Sequence, residues 1–219
     1  MTAPTAPRPL LRGRLHAGGA VLAIVATALL VERTWSDTLR AVTMLIFGLS
    51  MVELYVVSAT YHMGPWEGRK RSVFRALDHA NIYVLIAGTF TPICVNVLDG
   101  WLRVAVLAVV WVLALSGVLA AAFALRLPRW GSVALYLILG WVALPALPEL
   151  FRLLPAEPIA LMFLGGVFYS VGAVVYALRR PDPFPRVLGF HEVFHLFVIA
   201  GSAAFFAVVW IWVVPYPRA

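Results

Sequence analysis

A pair of histidines four residues apart, His191 and His195, carries the clearest chemistry in the sequence. On an α-helix, residues at this spacing share a face, so the two imidazoles can bind one metal ion. The segment reads His-Glu-x-x-His, which is also the form of the zinc protease signature, with Glu192 in the place of the general base. The pair is therefore either part of a larger ligand set or the core of a metalloprotease.

A third histidine, His62, can complete such a ligand set. Three histidines with one open position are the ligands of a catalytic zinc ion, and we predict that His62, His191 and His195 bind zinc. Ser58 lies four residues before His62, so its hydroxyl can face the same site and donate a hydrogen bond to an oxyanion. Asp78 is predicted to begin a helix, where the helix dipole favours a carboxylate that could accept a proton from a water molecule at the metal.

Simpler roles are open to each of these polar groups. Histidines at helix ends near a membrane interface often only cap the helix or extend towards water. His79 is expected to cap the third helix; as the neighbour of Asp78 it points about 100° away from it, which argues against a role as fourth ligand. Glu53 lies nine residues from His62, about 180° around the helix, and is not expected to join the cluster. His16 lies at the same end of the molecule without an assigned role.

The composition indicates an integral membrane protein. Of the 219 residues, 63% are hydrophobic and 12% are charged, whereas about 25% are charged in a soluble domain. The formal net charge of +7 is best explained by arginines in the loops that flank membrane spans. No basic patch is interleaved with polar side chains of the kind that read bases, so we expect no nucleic-acid partner.

Seven apolar segments approach the length of about 20 residues that a spanning helix needs. The first resembles a secretory signal at its basic end, but its extension to Trp35 favours a spanning helix. Asp99-Gly100 predicts a tight turn, and Pro145 and Pro148 predict a break near the end of the fifth segment. The predicted spans are residues 15–35, 41–62, 77–98, 101–125, 130–150, 158–178 and 187–214.

The distribution of positive charge predicts the orientation of the bundle. Most of the 17 lysine and arginine residues lie on the side of the amino terminus, which includes the 63–76 and 179–186 loops. By the positive-inside rule, the amino terminus is cytoplasmic and the carboxyl terminus lies outside. We therefore predict an all-α protein with one integral-membrane domain over residues 1–219, a seven-transmembrane-helix bundle in a bacterial plasma membrane, with its histidines near the cytoplasmic face.

Three segments together resemble the hemolysin III family, the bacterial branch of the progestin and adipoQ receptor superfamily. They are Ser58-Ala-Thr-Tyr-His62, residues 77–92 beginning Leu-Asp-His, and His191-Glu-Val-Phe-His195 followed by Gly201-Ser202. The resemblance covers essentially the whole chain. One departure from the family pattern is Arg12, which stands where an asparagine is expected ahead of His16.

This resemblance implies a seven-helix bundle with a zinc ion near the cytoplasmic side. The metal-binding histidines of the similar receptors correspond to His62, His191 and His195. The aspartate that hydrogen-bonds the water on their zinc corresponds to Asp78. The superfamily is also similar to alkaline ceramidases, which implies hydrolysis of a lipid amide.

Three functions are compatible with the sequence. The first is a zinc-dependent hydrolase that acts on an amide or ester bond of a membrane lipid. The second is a non-enzymatic lipid or ligand sensor, or a membrane-perturbing hemolysin, in which zinc is structural. The third is an intramembrane metalloprotease that uses Glu192. Access distinguishes the first two, because hydrolysis needs an open coordination position beside a lipid-binding cavity, whereas a structural zinc is usually closed by a fourth protein ligand.

Overall fold

The computed structural model describes residues 9–123 and 128–217, which form seven helical segments. The fifth segment consists of two helices joined by a 3₁₀ turn, and a π-helical turn at Val209–Val213 extends the last segment. The all-α prediction is confirmed. The helices are α1 (Arg14–Thr34), α2 (Thr38–Met63), α3 (Gly68–Asn96), α4 (Gly100–Ala122), α5 (Arg129–Trp141), α6 (Leu147–Leu153), α7 (Ala156–Leu178) and α8 (Phe190–Val208).

Six of the seven segments are long and apolar enough to cross a membrane, and the chain is a multi-pass integral membrane protein. The segment outside this group is α3, which carries buried polar side chains along its length, among them Asn81, Thr89 and Asn96. Thr89 donates its hydroxyl hydrogen bond to the carbonyl of Leu85, one turn earlier. Because such groups are satisfied inside protein rather than in lipid, α3 lies within the bundle, packed against α2, α4 and α5.

Helices that follow one another in sequence pack side by side, and α8 returns to contact α1. Short connections make consecutive segments antiparallel. The starts of α1, α3, α5 and α8 and the ends of α2 and α7 therefore meet at one end of the bundle. Four of the five histidines belong to these parts of the helices, and the fifth, His79, lies about three turns into α3.

The third predicted span is wrong about where its helix begins. We predicted a start at residue 77, but α3 begins at Gly68 and continues through the basic residues 69–71. Hydropathy identifies only the membrane-crossing part of a helix, and this helix extends beyond it into water. Asp78 therefore lies about 15 Å from the start of α3. Because the effect of the helix dipole is confined to the first turn, the dipole does not favour a charged Asp78, and that expectation is wrong.

The other predicted breaks agree with the structure. The turn at Asp99-Gly100 is confirmed by Gly100, whose φ of 55° is accessible to glycine at little cost. The break at Pro145 and Pro148 coincides with the 3₁₀ turn between α5 and α6. The fourth span was predicted to reach residue 125, whereas α4 ends at Ala122; residues 124 and 125 lie outside the described part of the chain.

The segment before α1 is attached to the loop before α8. The backbone N–H groups of Leu10 and Leu11 donate hydrogen bonds to the carbonyl oxygens of Arg186 and Val187, at 2.9 and 3.1 Å. Gly13, with a φ of 78°, then turns the chain into α1 where it packs closely against α2. The segment consequently crosses the histidine end of the bundle and brings Arg12 to it.

Candidate metal centre

The three predicted ligands come together at this end of the bundle. His62 lies in the last turn of α2, and His191 and His195 lie in the first turns of α8. The Nε2 atoms of His62 and His191 are 3.0 Å apart. One ring nitrogen from each of the three residues falls within 4.8 Å of the others, so the group could hold a metal ion.

The three ring nitrogens fit a metal ion both in their spacing and in the burial of their side chains. Zinc–nitrogen bonds of about 2.0–2.1 Å in a tetrahedral site separate two ligand nitrogens by about 3.3 Å, which the observed spacings bracket. His62 and His195 are buried and His191 is half-buried. The Nδ1 atom of His195 is buried without a hydrogen-bond partner among the described residues, which is costly for a polar atom. Three nitrogens leave one position of a tetrahedron open.

Asp78 and Ser58 lie beside the three histidines. The Oδ2 atom of Asp78 is 3.8 Å from Nε2 of His62. Ser58 is buried on α2, one turn before His62, and it lines the same cavity as Asp78. A proton acceptor and a hydroxyl donor are thus available next to the histidines, and their catalytic roles stay predictions.

Two other polar residues, His79 and Glu53, are not part of the three-histidine group. His79 donates from Nδ1 to the carbonyl oxygen of Arg75 at 2.8 Å, and its Nε2 is 3.4 Å from the hydroxyl of Tyr176. The expected capping role of His79 is wrong, because the residue lies in the interior of α3 rather than at its start. Glu53 is exposed on α2 and does not join the cluster, as its angular position predicted.

A fourth histidine, His16, packs directly against the group. Its ring stacks on that of His195 with centroids 3.6 Å apart and planes 14° apart, and it is 2% exposed. Tyr55 contacts its other side, at 5.0 Å between ring centroids. His16 therefore fixes the position of the His195 ring. The sequence indicated only that His16 lies at the same end of the bundle.

Glu192, which lies between His191 and His195 on α8, is engaged in structural contacts. It is fully buried and accepts a hydrogen bond at 2.9 Å from the backbone N–H of Gly189, which caps the start of α8. It also forms an ion pair with the guanidinium of Arg12. These partners lie on the side of the amino-terminal segment, and Glu192 does not line either cavity that adjoins the three histidines.

An apolar cavity of about 110 Å³ begins at the histidines and extends into the membrane part of the bundle. Ser58, Asp78, His191 and His195 line one end of it. On α3, the lining residues run from Asp78 to Phe90, which is about 18 Å along the helix. Half of the hydrocarbon core of a bilayer is about 15 Å, so the cavity has the length of one lipid acyl chain.

A second cavity, of about 230 Å³, lies on the other side of the histidines. We call it the basic vestibule, because four arginines line it: Arg12, Arg71, Arg75 and Arg129. Its wall includes His62 and His191, and it shares Asp78, His79, Tyr176 and His191 with the apolar cavity. The histidine group therefore lies where a polar chamber meets an apolar one.

These features define a class: a multi-pass helical membrane protein with a buried three-histidine group at the junction of two cavities. Residues 5–206 match the model of the Haemolysin-III related family, and the chain belongs to this family, within the progestin and adipoQ receptor superfamily.

Several curated proteins are similar over nearly the whole chain. A hemolysin-3 homolog of Bacillus subtilis is 35% identical over 92% of both chains. Hemolysin-3 of Bacillus cereus is 36% identical over 91% of this chain and 89% of its own. The human monocyte to macrophage differentiation factor is 26% identical over 89% of this chain and 80% of its own.

Proposed function

We propose that the protein is a zinc-dependent hydrolase that cleaves an amide or ester bond of a membrane lipid. The observation that carries this proposal is the position of the three histidines, Asp78 and Ser58 at one end of an apolar cavity of acyl-chain length. A lipid chain in that cavity would bring the bond next to its carbonyl end to the polar residues.

Each residue has a distinct task in this proposal. His62, His191 and His195 would hold zinc, which suits imidazole ligands and supplies a Lewis acid and an activated water when bound. Asp78 accepts the proton that is released and returns it to the leaving group. Ser58 donates a hydrogen bond to the oxygen on which charge develops. The apolar walls of the cavity hold the chain and exclude water.

The same end of the bundle carries the excess of arginine and lysine. By the positive-inside rule, this end faces the cytoplasm. The substrate would therefore enter from the cytoplasmic leaflet.

A second candidate function comes from the name of a relative. Hemolysin-3 of Bacillus cereus supports a membrane-perturbing role or a non-enzymatic sensor, in which a metal would only hold α2 and α8 together. The protease interpretation has less support, because Glu192 is occupied by Gly189 and Arg12.

Metal content tests the ligand set. Purified protein should contain about one zinc ion per chain, and His62→Ala, His191→Ala or His195→Ala should each release most of it, because two remaining imidazoles bind zinc weakly. The measurement is elemental analysis after dialysis. His79→Ala is the matched control and should keep its zinc. Zinc retained in all three ligand variants would contradict the proposed site.

Replacing the proposed proton acceptor tests the hydrolase. Asp78→Asn should keep its zinc and lower hydrolysis of acyl-amide and acyl-ester lipids by a factor of about 10²–10⁴, the usual contribution of a positioned acid or base. Glu53→Gln makes the same chemical change on the exposed face of α2 and should leave the rate unaltered. Hydrolysis that survives Asp78→Asn but is lost in Glu192→Gln would instead support a protease-type centre. Absence of hydrolysis with every lipid tested would favour the second candidate.

A further inference from the structure

The basic vestibule has an excess of positive charge that its own carboxylates do not balance. Arg12 is paired with Glu192. Within residues 9–123 and 128–217, the side chains of Arg71, Arg75 and Arg129 form no ion pair. Arg129 is held in place by the ring of Tyr176, with its guanidinium carbon 5.1 Å from the ring centroid. Among the described residues, Asp78 is the single carboxylate that lines the vestibule.

One stripe of α3 connects the two chambers. Arg71, Arg75, Asp78 and Ile82 follow one another at spacings of four, three and four residues, which places them on one helical face. The first two line the vestibule, Asp78 lines both cavities, and Ile82 lines the apolar cavity. A single face of one helix thus changes from cationic, through the proposed proton acceptor, to apolar.

From this order we infer that the lipid bound here carries a phosphate in its head group. Its phosphate lies in the basic vestibule against Arg71, Arg75 and Arg129, and one acyl chain lies in the apolar cavity. Guanidinium groups form charge-assisted, often paired hydrogen bonds with phosphate oxygens. A chamber of about 230 Å³ accommodates a head group, whereas a nucleic acid or a protein segment is far larger. The inference rests on the proposed function only in naming this phospholipid as the substrate.

Membrane topology alone does not account for these arginines. Arg69 and Lys70 are exposed residues of the first turns of α3, as Arg71 and Arg75 are, and they supply positive charge to the same end of the bundle without lining the vestibule. Topology requires charge at this end of the molecule. It does not require guanidinium groups in the wall of a chamber that contains two of the proposed metal ligands.

Binding tests the inference without any turnover. Zinc-loaded protein in neutral maltoside micelles is titrated by calorimetry with a di-O-alkyl phosphatidic acid, which has no hydrolysable acyl bond. Further arms use a di-O-alkyl glycerol of the same chain length and inorganic phosphate. We expect the phosphate-bearing lipid to bind best, because it alone fills both chambers.

Two double variants distinguish the effect of the arginines that line the vestibule from the effect of the total positive charge at this end of the bundle. Arg71→Gln with Arg75→Gln should weaken binding of the phosphatidic acid by about tenfold or more. Each substitution removes a charged hydrogen bond to the phosphate, and the loss of one such bond lowers the affinity by about tenfold. Arg69→Gln with Lys70→Gln removes the same charge from the same helix and should leave the affinity within about twofold. Unchanged zinc content and elution volume verify that both double variants are folded.

Three outcomes would contradict the inference, and a fourth would contradict only the proposed function. Equal affinity for the di-O-alkyl glycerol would mean that the phosphate is not recognised. Equal affinity for inorganic phosphate would indicate a soluble anion instead of a lipid. Equal losses in both double variants would indicate a diffuse surface field. Retained phospholipid binding without hydrolysis of any lipid would remove the proposed function and leave the phospholipid site standing.

Discussion

At the scale of single residues, the contact between Arg12 and Glu192 explains two features of the sequence at once. The two residues are 180 positions apart, and Glu192 is fully buried. Arg12 stands where the family resemblance leads one to expect asparagine, and Glu192 occupies the place of a protease base. Together they form an ion pair that attaches the amino-terminal segment to the first turn of α8, directly behind His191 and His195.

Removing Arg12 alone should destabilise the protein. Arg12→Ala leaves the buried Glu192 carboxylate without its counter-charge, a change that costs about 3 kcal/mol when one member of a buried pair is lost. The expected loss of stability lies at the lower end of the range for broken buried ion pairs, because 25% of the Arg12 side chain is exposed. The measurement is the apparent Tm of the purified protein in detergent.

The double variant Arg12→Ala with Glu192→Gln should recover much of this loss. It leaves no unpaired charge, and the glutamine oxygen can still accept the hydrogen bond from Gly189. A double variant that is less stable than Arg12→Ala would mean that Glu192 makes its main contribution through contacts other than the ion pair.

At the scale of elements, α3 illustrates what the sequence could and could not predict. Residues 77–98 were predicted as a span, and they contain the buried polar side chains that set α3 apart from the six apolar candidate spans. Its first nine residues were assigned to a loop, since charged residues at 69–71 lower the hydropathy although arginine and lysine are good helix formers. The predicted effect of the helix dipole on Asp78 depended on a helix that starts at residue 77, so this prediction fails together with that boundary.

The cluster of His62, His191 and His195 was easier to predict than its surroundings. Each residue lies near a helix end, and the order of the spans alone places those ends on one side of the bundle. The stacking of His16 on His195 depends instead on the rotation of α1 about its axis. The buried positions of α1 recur on one face but are mostly small or polar, whereas the exposed face carries large apolar residues such as Leu22 and Ile24, so hydropathy does not indicate which face turns inwards.

At the scale of the whole molecule, the two chambers define the direction in which the proposed phospholipid would lie. The basic vestibule opens towards the charged end of the bundle and the apolar cavity extends towards the middle of the membrane. This arrangement matches a lipid in one leaflet, with its head group at the surface and its chain in the core. The orientation of the bundle in the membrane decides from which leaflet the lipid would come, and the positive-inside rule predicts that orientation.

Two serines at opposite ends of the molecule allow that orientation to be measured. The sequence has a single cysteine, Cys94, which is buried. In a Cys94→Ser background, Ser36→Cys lies in the exposed turn between α1 and α2, and Ser72→Cys lies on the exposed start of α3, outside the vestibule. A membrane-impermeant maleimide should label the Ser36→Cys protein in intact cells and the Ser72→Cys protein only after permeabilisation. Labelling of Ser72→Cys in intact cells would place the arginines and histidines on the outer side, and the lipid would then have to come from the outer leaflet.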